Sequence, residues 1–413
     1  MREMKDSGIE WAGVIPNTWN INKGKYFMEL LTRPTLETDE VITCFRDGEV
    51  TLRSKRREEG FTVSLTEAGY QGIEIGDLVV HGMDGFAGSI GISDSRGKAT
   101  PVLNVLDTEQ NKRYMMYLMR TMAYCELFLS LATGIRVRTC DTNWKKLREI
   151  DYILPTIPEQ KAIADFLDEQ CAEIDSLISD IQSQIEALEE YKRSVITEAV
   201  TKGLDPDVEM RDSGVQWIGM MPTHWDCQRG KYLLRYVQKP VRDDDEVITC
   251  FRDGEVTLRS NRREEGFTMA DKEIGYQGID VGDLVVHGMD GFAGSIGISD
   301  SRGKASPVLN VLDTEQNKRY IMYYLRSMAY NDVFVALATG IRVRSCDLRW
   351  NKLAELLYPM PPVEEQQAIV EHIDSVLERT NAIIADKKQQ IETIEEYKKS
   401  LIFEYVTGKK EVA

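Results

Sequence analysis

The 413-residue sequence lacks long apolar runs, and no stretch approaches the 18 consecutive apolar residues that a membrane-spanning helix needs. Its first residues contain no apolar core of the kind found in secretory signals. The seven cysteines are scattered, without a Cys-x-x-Cys pair, which argues against a zinc ribbon or a disulfide framework. These absences predict a protein of the reducing cytoplasm.

Motifs for several kinds of catalysis are also missing. There is no Gly-x-x-x-x-Gly-Lys-Ser/Thr phosphate loop and no Gly-x-Ser-x-Gly elbow. Only four histidines occur, and none has Cys or His at a metal-ligand spacing. For His81 and His287, each followed by an aspartate, an acid–base or metal role is possible, but we favour a DNA base contact or a structural hydrogen bond. Four of the cysteines are expected to be small, buried apolar residues: Cys44, Cys140, Cys250 and Cys346.

The sequence consists of two similar copies, and equivalent residues are separated by a constant offset of 206 residues. Residues 41–62 and 247–268 differ only at Lys55 and Asn261, and residues 101–114 and 307–320 are the same. A period of this length implies duplicated domains, not a solenoid of short repeats.

Each copy contains a β-rich part and a helical part. Short alternating runs joined by glycine predict strands and turns, and a helix is predicted over Tyr114–Leu131, so the fold class is α+β. Apolar residues spaced by four and three then predict a long helix in each copy, whose seam requires a partner. The predicted divisions are a β-rich domain at 1–158, a long helix at 159–203, a second β-rich domain at 204–361 and a second long helix at 362–413.

The two long helices are expected to pair with each other as an antiparallel coiled coil with pseudo-twofold symmetry. The predicted seam includes, in the first helix, Ile163, Leu167, Gln170, Ile174, Leu177, Ile181, Gln184, Leu188, Tyr191 and Val195. In the second helix it includes Ile369, Ile373, Val376, Thr380, Ile383, Lys387, Gln390, Ile394, Tyr397 and Leu401.

Charge is distributed unevenly along the chain. The net charge of −17 opposes nonspecific binding to nucleic acid when it is taken globally. Residues 17–158 and 223–361 carry only −1 each, whereas the helical segments 159–203 and 362–413 carry −7 and −4. The β-rich domains can therefore present a basic face.

Basic side chains recur at equivalent places in both domains. Arginine forks suit phosphate oxygens and the guanine edge, although surface charge paired with nearby glutamates is the plainer explanation for any single residue. The predicted DNA-binding residues of the first domain are Arg46, Arg53, Lys55, Arg56, Arg57, His81, Arg96, Lys98, Arg136, Arg138 and Lys145. Those of the second are Arg252, Arg259, Asn261, Arg262, Arg263, His287, Arg302, Lys304, Arg342, Arg344 and Lys352.

The segment Phe86-Ala87-Gly88-Ser89-Ile90-Gly91 superficially matches the Phe-x-Gly-x-Gly loop that binds S-adenosylmethionine in methyltransferases. Strand-like residues flank it on both sides, no helix opens after it, and no Asn-Pro-Pro-Tyr-like tetrad occurs in the chain. A hairpin is therefore the favoured interpretation of this segment.

These features together resemble the specificity subunit of type I restriction-modification systems. The segment from Met4 to Trp19 resembles the opening motif of that family and recurs from Met210 to Trp225. Pro155-Thr156-Ile157-Pro158-Glu159-Gln160 and Met360-Pro361-Pro362-Val363-Glu364-Glu365-Gln366 resemble the entry to its conserved helices.

The resemblance implies two target-recognition domains that read the halves of a split DNA site, with no catalysis and no cofactor in this chain. It also implies two methyltransferase subunits that methylate adenine at N6 using S-adenosylmethionine, and endonuclease subunits that use ATP and magnesium. Because the domains are nearly equal here, we predict a near-palindromic site. The alternatives are a self-contained DNA methyltransferase with cofactor loops at Gly88 and Gly294, and a coiled-coil scaffold with no role on DNA.

Overall fold

The computed structural model describes residues 2–56, 68–130, 142–262, 274–337 and 348–412. The chain divides into two compact units: unit 1 contains Met1–Ile181 and Lys388–Ala413, and unit 2 contains Gln182–Lys387. Each unit thus combines one β-rich domain with segments of both long helices. Within the described ranges, none of the helices is both long and apolar enough to cross a membrane.

Unit 1 is built from short antiparallel strands. Its largest sheet has the strand order β4-β11-β8-β9, and it is accompanied by the pairs β1-β2, β3-β12, β5-β6 and β7-β10. The strands are β1 (Met4–Asp6), β2 (Val14–Pro16), β3 (Asn20–Lys23), β4 (Met28–Leu30), β5 (Ile42–Cys44), β6 (Val50–Leu52), β7 (Gln71–Ile73), β8 (Leu78–His81), β9 (Ile90–Ile92), β10 (Gly97–Ala99), β11 (Leu103–Thr108) and β12 (Asp151–Leu154).

Unit 2 repeats this arrangement. Its largest sheet has the order β16-β23-β20-β21, with the pairs β13-β14, β15-β24, β17-β18 and β19-β22. The strands are β13 (Met210–Asp212), β14 (Met220–Pro222), β15 (Asp226–Arg229), β16 (Leu234–Tyr236), β17 (Ile248–Cys250), β18 (Val256–Leu258), β19 (Gln277–Ile279), β20 (Leu284–His287), β21 (Ile296–Ile298), β22 (Gly303–Ala305), β23 (Leu309–Thr314) and β24 (Leu357–Met360).

Helices cover one face of each large sheet and follow each β-rich domain. They are α1 (Lys112–Tyr124), α2 (Leu127–Ser130), α3 (Trp144–Leu147), α4 (Ile157–Lys202), α5 (Gly230–Leu233), α6 (Lys318–Tyr330), α7 (Val333–Ala336), α8 (Trp350–Leu353) and α9 (Val363–Val406). The α+β class and the long helix after each β-rich domain are confirmed.

Strands β8 and β20, which lie inside the large sheets, are apolar at consecutive positions because both of their faces are covered. Side chains alternate between the two faces of a strand. In unit 1, Leu78 and Val80 belong to the core that includes α1, whereas Val79 belongs to a second core with residues of the β5-β6 hairpin. The same division holds in unit 2, where β20 contributes to both cores.

The helix predicted over Tyr114–Leu131 is wrong in its extent. Helix α1 begins after Asn111, whose side chain accepts hydrogen bonds from two backbone N–H groups of the first turn. It ends at Tyr124, and Glu126 then adopts a left-handed φ of 57°, which an α-helix cannot contain. A separate short helix, α2, follows this break.

The two long helices pair antiparallel within each unit, as predicted. In unit 1, the rings of Phe166 on α4 and Tyr405 on α9 lie 4.4 Å apart, and Asp175 pairs with Lys398 at 2.6 Å. As residue numbers rise along α4, those of the α9 partners fall. In unit 2, Lys387 of α9 donates to Gln184 of α4 at 2.5 Å, and residues of both helices join one core.

The predicted seam is out of phase at several positions. Leu177, Tyr191, Ile383 and Tyr397 are about half exposed, so they lie outside the packed stripe. Residues outside the predicted series take inward positions: Cys171, Ile185 and Ile196 on α4 are buried, as is Ile384 on α9. Ile181 is buried as predicted. A strict seven-residue pattern drifts relative to a helix of 3.6 residues per turn, which explains the one-residue shift.

Each β-rich domain is tied to the end of a long helix by a buried tyrosine. The Tyr320 hydroxyl contacts the carbonyl oxygens of Val200 on α4 at 3.1 Å and of Pro359 at 2.8 Å. Tyr114 repeats this in unit 1 with Ile153 and Val406. These hydroxyls link sheet, helix and helix end at one point in each core.

We predict that Y320F lowers the free energy of unfolding by about 1–2 kcal/mol, because two buried carbonyl groups lose their donor. Urea unfolding of the whole chain, followed by circular dichroism, measures this change. The control is Y232F, since the Tyr232 side chain is 76% exposed and its hydroxyl should contribute almost nothing. Equal unfolding midpoints for the two variants would contradict the prediction.

Candidate nucleic-acid interface

The tight turn of the β5-β6 hairpin presents Arg46 to solvent. Asp47 accepts the backbone N–H of Glu49 at 3.0 Å, and Gly48 takes a φ of 86° that few other residues tolerate. Arg120 of α1 donates to the carbonyl oxygen of Gly48 at 3.0 Å and fixes the turn against the sheet. The equivalent turn in unit 2 is held by Arg326 in the same way.

The loop after β8 carries the candidate histidine. The Nδ1 atom of His81 accepts backbone N–H groups from Met83 at 3.2 Å and from Asp84 at 3.0 Å, so in the neutral ring the proton lies on Nε2. Burial lowers the pKa of His81, and that of its counterpart His287, below the usual value. Each neutral ring therefore shapes its loop by accepting two N–H groups at Nδ1, while Nε2 keeps a proton to donate.

Several of these segments converge in each unit. Arg46 bonds Asp84 at 2.9 Å, and Arg56 bonds Asp47 at 2.7 Å while stacking over Phe45 at 4.3 Å. We call residues 45–49, 53–56, 81–89 and 142 loop cluster 1. The equivalent residues 251–255, 259–262, 287–295 and 348 form loop cluster 2.

Loop cluster 2 repeats these contacts: Arg252 bonds Asp290 at 3.1 Å, and Arg262 bonds Asp253 at 2.6 Å. Arg53 and Arg259 also belong to the clusters, and each donates through Nε to a strand threonine, Thr43 at 3.1 Å or Thr249 at 3.2 Å.

Some predicted residues fall outside the described ranges, namely Arg57, Arg136, Arg138, Arg263, Arg342 and Arg344, together with Cys140 and Cys346. The described residue Thr142 belongs to loop cluster 1, where its hydroxyl bonds the carbonyl oxygen of His81 at 2.9 Å. Cys44 and Cys250 are buried, and desolvation raises the pKa of each thiol to about 12.

Arg96 and Arg302 belong to ion-pair networks and not to the loop clusters. Arg302 bonds Asp245, whose side chain is only 2% exposed, and also contacts Asp280. The Arg302 guanidinium lowers the pKa of Asp245, and Lys239 and Arg302 together lower the pKa of Asp280 to about 2. These guanidinium groups therefore neutralise the negative charge of neighbouring carboxylates. Next to them, Lys98 and Lys304 lie on β10 and β22.

The last predicted residues lie on short helices. Lys145 on α3 and Lys352 on α8 are exposed, and each helix begins two residues after a residue whose N–H bonds the histidine loop, Thr142 or Leu348. Among the ranges with described structure, no three His, Cys, Asp or Glu side chains form a group that could hold a metal ion.

The Phe86–Gly91 segment connects two strands of one hairpin. Strand β8 pairs antiparallel with β9, and Gly88, at a φ of 94°, turns the chain between them. A Cβ atom on Gly88 would approach the carbonyl oxygen of Arg46 to 3.2 Å, so this glycine serves close packing with the neighbouring turn. The methyltransferase alternative is not supported.

Sequence reasoning missed the residues that position the clusters. Arg120 and Arg326 were not predicted, although an arginine within an otherwise apolar helix is a signal for a buried hydrogen-bonding role. Arg349 was also missed, and its side chain lies against Gly288 beside the histidine loop, where unit 1 has Asn143.

The sequence is similar to two curated proteins, and both are named as type I restriction enzyme specificity subunits. The putative type I restriction enzyme MjaX specificity subunit of Methanocaldococcus jannaschii is 23% identical over 321 residues, covering 74% of this chain and 71% of that protein. The type I restriction enzyme MjaVIII specificity subunit of the same organism is 26% identical over 326 residues, covering 73% and 72%. No family model matches the sequence.

A solved chain from a study of complex assembly and conformational transition of the type I R-M system shares the fold. The TM-score is 0.68 at 11% sequence identity, and the match covers 96% of this chain and 99% of that one.

The ion-pair network around Arg302 makes a prediction about stability and pH. R302Q should lower the free energy of unfolding by about 1–3 kcal/mol near pH 7, because Asp245 remains buried without its partner. Since the folded-state pKa values of Asp245 and Asp280 are lowered, this stabilisation is complete above about pH 4 and is lost as pH falls towards 2.

Urea unfolding at a series of pH values measures this difference, and R235Q is the control. Arg235 forms an exposed ion pair with Asp313, for which about 0–1 kcal/mol is expected. A constant difference between wild type and R302Q from pH 7 to pH 2 would refute the assignment.

Proposed function

We infer that this chain is a specificity subunit of a type I restriction-modification system and that its two loop clusters read the two halves of a split DNA site. The chain recognises DNA and is not itself an enzyme. The alternatives of a self-contained methyltransferase and a coiled-coil scaffold have no support.

The observation that carries the DNA-reading role is the repetition of the loop clusters. Arg46 and Arg252 have side chains 66% and 67% exposed, and each bonds a single aspartate of the neighbouring loop. A guanidinium with one exposed carboxylate partner can exchange that partner for a phosphate oxygen or a guanine edge. We propose that Arg46, Arg53, Arg56, His81 and their counterparts face DNA, while Arg96 and Arg302 support the fold.

We further propose that the site is near-palindromic, with an unread spacer, and that the partners are two methyltransferase subunits that modify adenine at N6. The family resemblance implies that the two equal readers are related by a pseudo-twofold axis, and such readers call for inverted half-sites. In this proposal the partners supply S-adenosylmethionine chemistry and, where endonuclease subunits are present, ATP-dependent cleavage. We also propose that the complex acts in the cytoplasm.

The test is adenine-methylation mapping of DNA exposed to this chain together with its cognate methyltransferase subunit. Methylation confined to one split sequence with inverted halves is the expected result. Methylation that is the same with and without this chain would refute the proposed function.

A matched pair of variants tests the interface itself. Arg252 and Arg235 have nearly equal exposure, 67% and 65%, and each bonds one aspartate at 3.1 Å, but only Arg252 lies in loop cluster 2. We predict that R252A weakens DNA binding of the assembled complex about 5- to 100-fold and reduces its salt dependence, whereas R235A leaves both unchanged. Fluorescence anisotropy at several salt concentrations measures this, and equal effects of the two variants would exclude Arg252 from the interface.

A further inference from the structure

The two loop clusters share most of their side-chain contacts, although the hydroxyl bond of Thr142 has no equivalent at Leu348. The arginine–aspartate pair between turn and loop, the arginine stacked on phenylalanine and the histidine that accepts two N–H groups occur in both. Against this background, Lys55 and Asn261 are the one differing pair in the short helical turn that precedes the basic segment. This substitution also changes the hydrogen bonds and ion pairs of the neighbouring aspartate, Asp94 in unit 1 and Asp300 in unit 2.

In unit 1, Lys55 neutralises an aspartate. Its ammonium group lies 3.1 Å from an Asp94 carboxylate oxygen and donates to the Ser95 hydroxyl at 2.9 Å. The Lys55 and Asp94 side chains are both about half exposed, at 50% and 48%. An ammonium group has three N–H donors, so one remains for a ligand in solvent. The pair has no net charge.

In unit 2, the equivalent carboxylate loses its cation. Asn261 turns to the Thr257 hydroxyl, to which it donates at 2.8 Å. Asp300, the counterpart of Asp94, accepts from the Ser301 hydroxyl at 2.6 Å. Among the residues described in unit 2, no lysine or arginine forms an ion pair with Asp300. The described side chains at this position therefore sum to a charge of −1, and Asp300 exposes carboxylate oxygens as acceptors.

The change in charge bears on what this position can contact. A carboxylate without a lysine or arginine partner repels phosphate, so the DNA backbone is a poor ligand for Asp300. Base edges are better suited: a lysine donates to the acceptors O6 and N7 of guanine, whereas carboxylate and amide oxygens accept from the exocyclic amino groups of cytosine or adenine. The two units thus favour opposite hydrogen-bonding edges.

We propose that Lys55 and Asn261 are specificity-determining residues that make the two half-sites differ at one base pair. The half read by unit 1 presents a guanine edge to Lys55, and the half read by unit 2 presents an amino group to Asn261 and Asp300. This inference rests on the proposed function, because it assumes that both loop clusters read DNA.

Exchange of the two residues provides the test, since each already occurs in the same turn of the other copy and the fold accepts both. Methylation mapping is done with the complete chain and its methyltransferase subunit for wild type, K55N and N261K. The wild-type halves should differ at one base pair. K55N and N261K should each make the halves equal, and each should shift the preference at that base pair by at least about fivefold, in opposite halves.

The control is D280E, which also replaces a residue of one copy by that of the other, because unit 1 has Glu74 where unit 2 has Asp280. Asp280 lies in the ion-pair network of Arg302, outside loop cluster 2, so D280E should leave the methylated sequence unchanged. Equal halves in the wild type, or unequal halves that persist in both K55N and N261K, would overturn the inference while leaving the proposed function intact. Loss of all chain-dependent methylation in the wild type would instead refute the proposed function.

Discussion

The structure depends on the antiparallel pairing of segments of the two long helices within each unit. The core of the first β-rich domain contains Leu401, Ile402 and Val406 from the end of α9. The core of the second contains Ile196, Ala199 and Val200 from the end of α4. Neither copy of the repeat therefore completes its own core, because the helix that closes it comes from the other copy.

This constraint explains why the two units keep the same internal construction. The buried tyrosine of α1 or α6 contacts both a domain carbonyl and a carbonyl near the end of the long helix, so the position of that helix end is fixed by the domain. The sheet, the helix on it and the loops beyond form one continuous set of contacts. Because the loops are held by contacts with the core, two cores of the same construction position two loop clusters of the same construction.

The sequence predicted the architecture well because its evidence was redundant: the repeat, the alternating short runs and the two long apolar patterns all agreed. It failed where one residue decides the outcome. A seven-residue pattern alone cannot decide whether Ile383 or Ile384 faces the packed stripe, since a shift of one position along a helix moves a side chain by about 100°. Likewise, the sequence around Arg96 does not reveal that its guanidinium forms an ion pair with Asp39, which lies 57 residues earlier in the chain.

The proposed function requires a chain with a net charge of −17 to read DNA, and the contacts of loop cluster 1 bear on this requirement. Arg46 and Arg56 are each paired with a carboxylate in unit 1. Binding DNA then exchanges one anionic partner for another, so the gain from phosphate contacts alone is small. Discrimination between sequences is affected less, because a wrong base leaves both the side chain and its displaced carboxylate without good partners. In the proposed complex, the loop clusters therefore supply selectivity, and the general affinity for the backbone comes from the partner subunits.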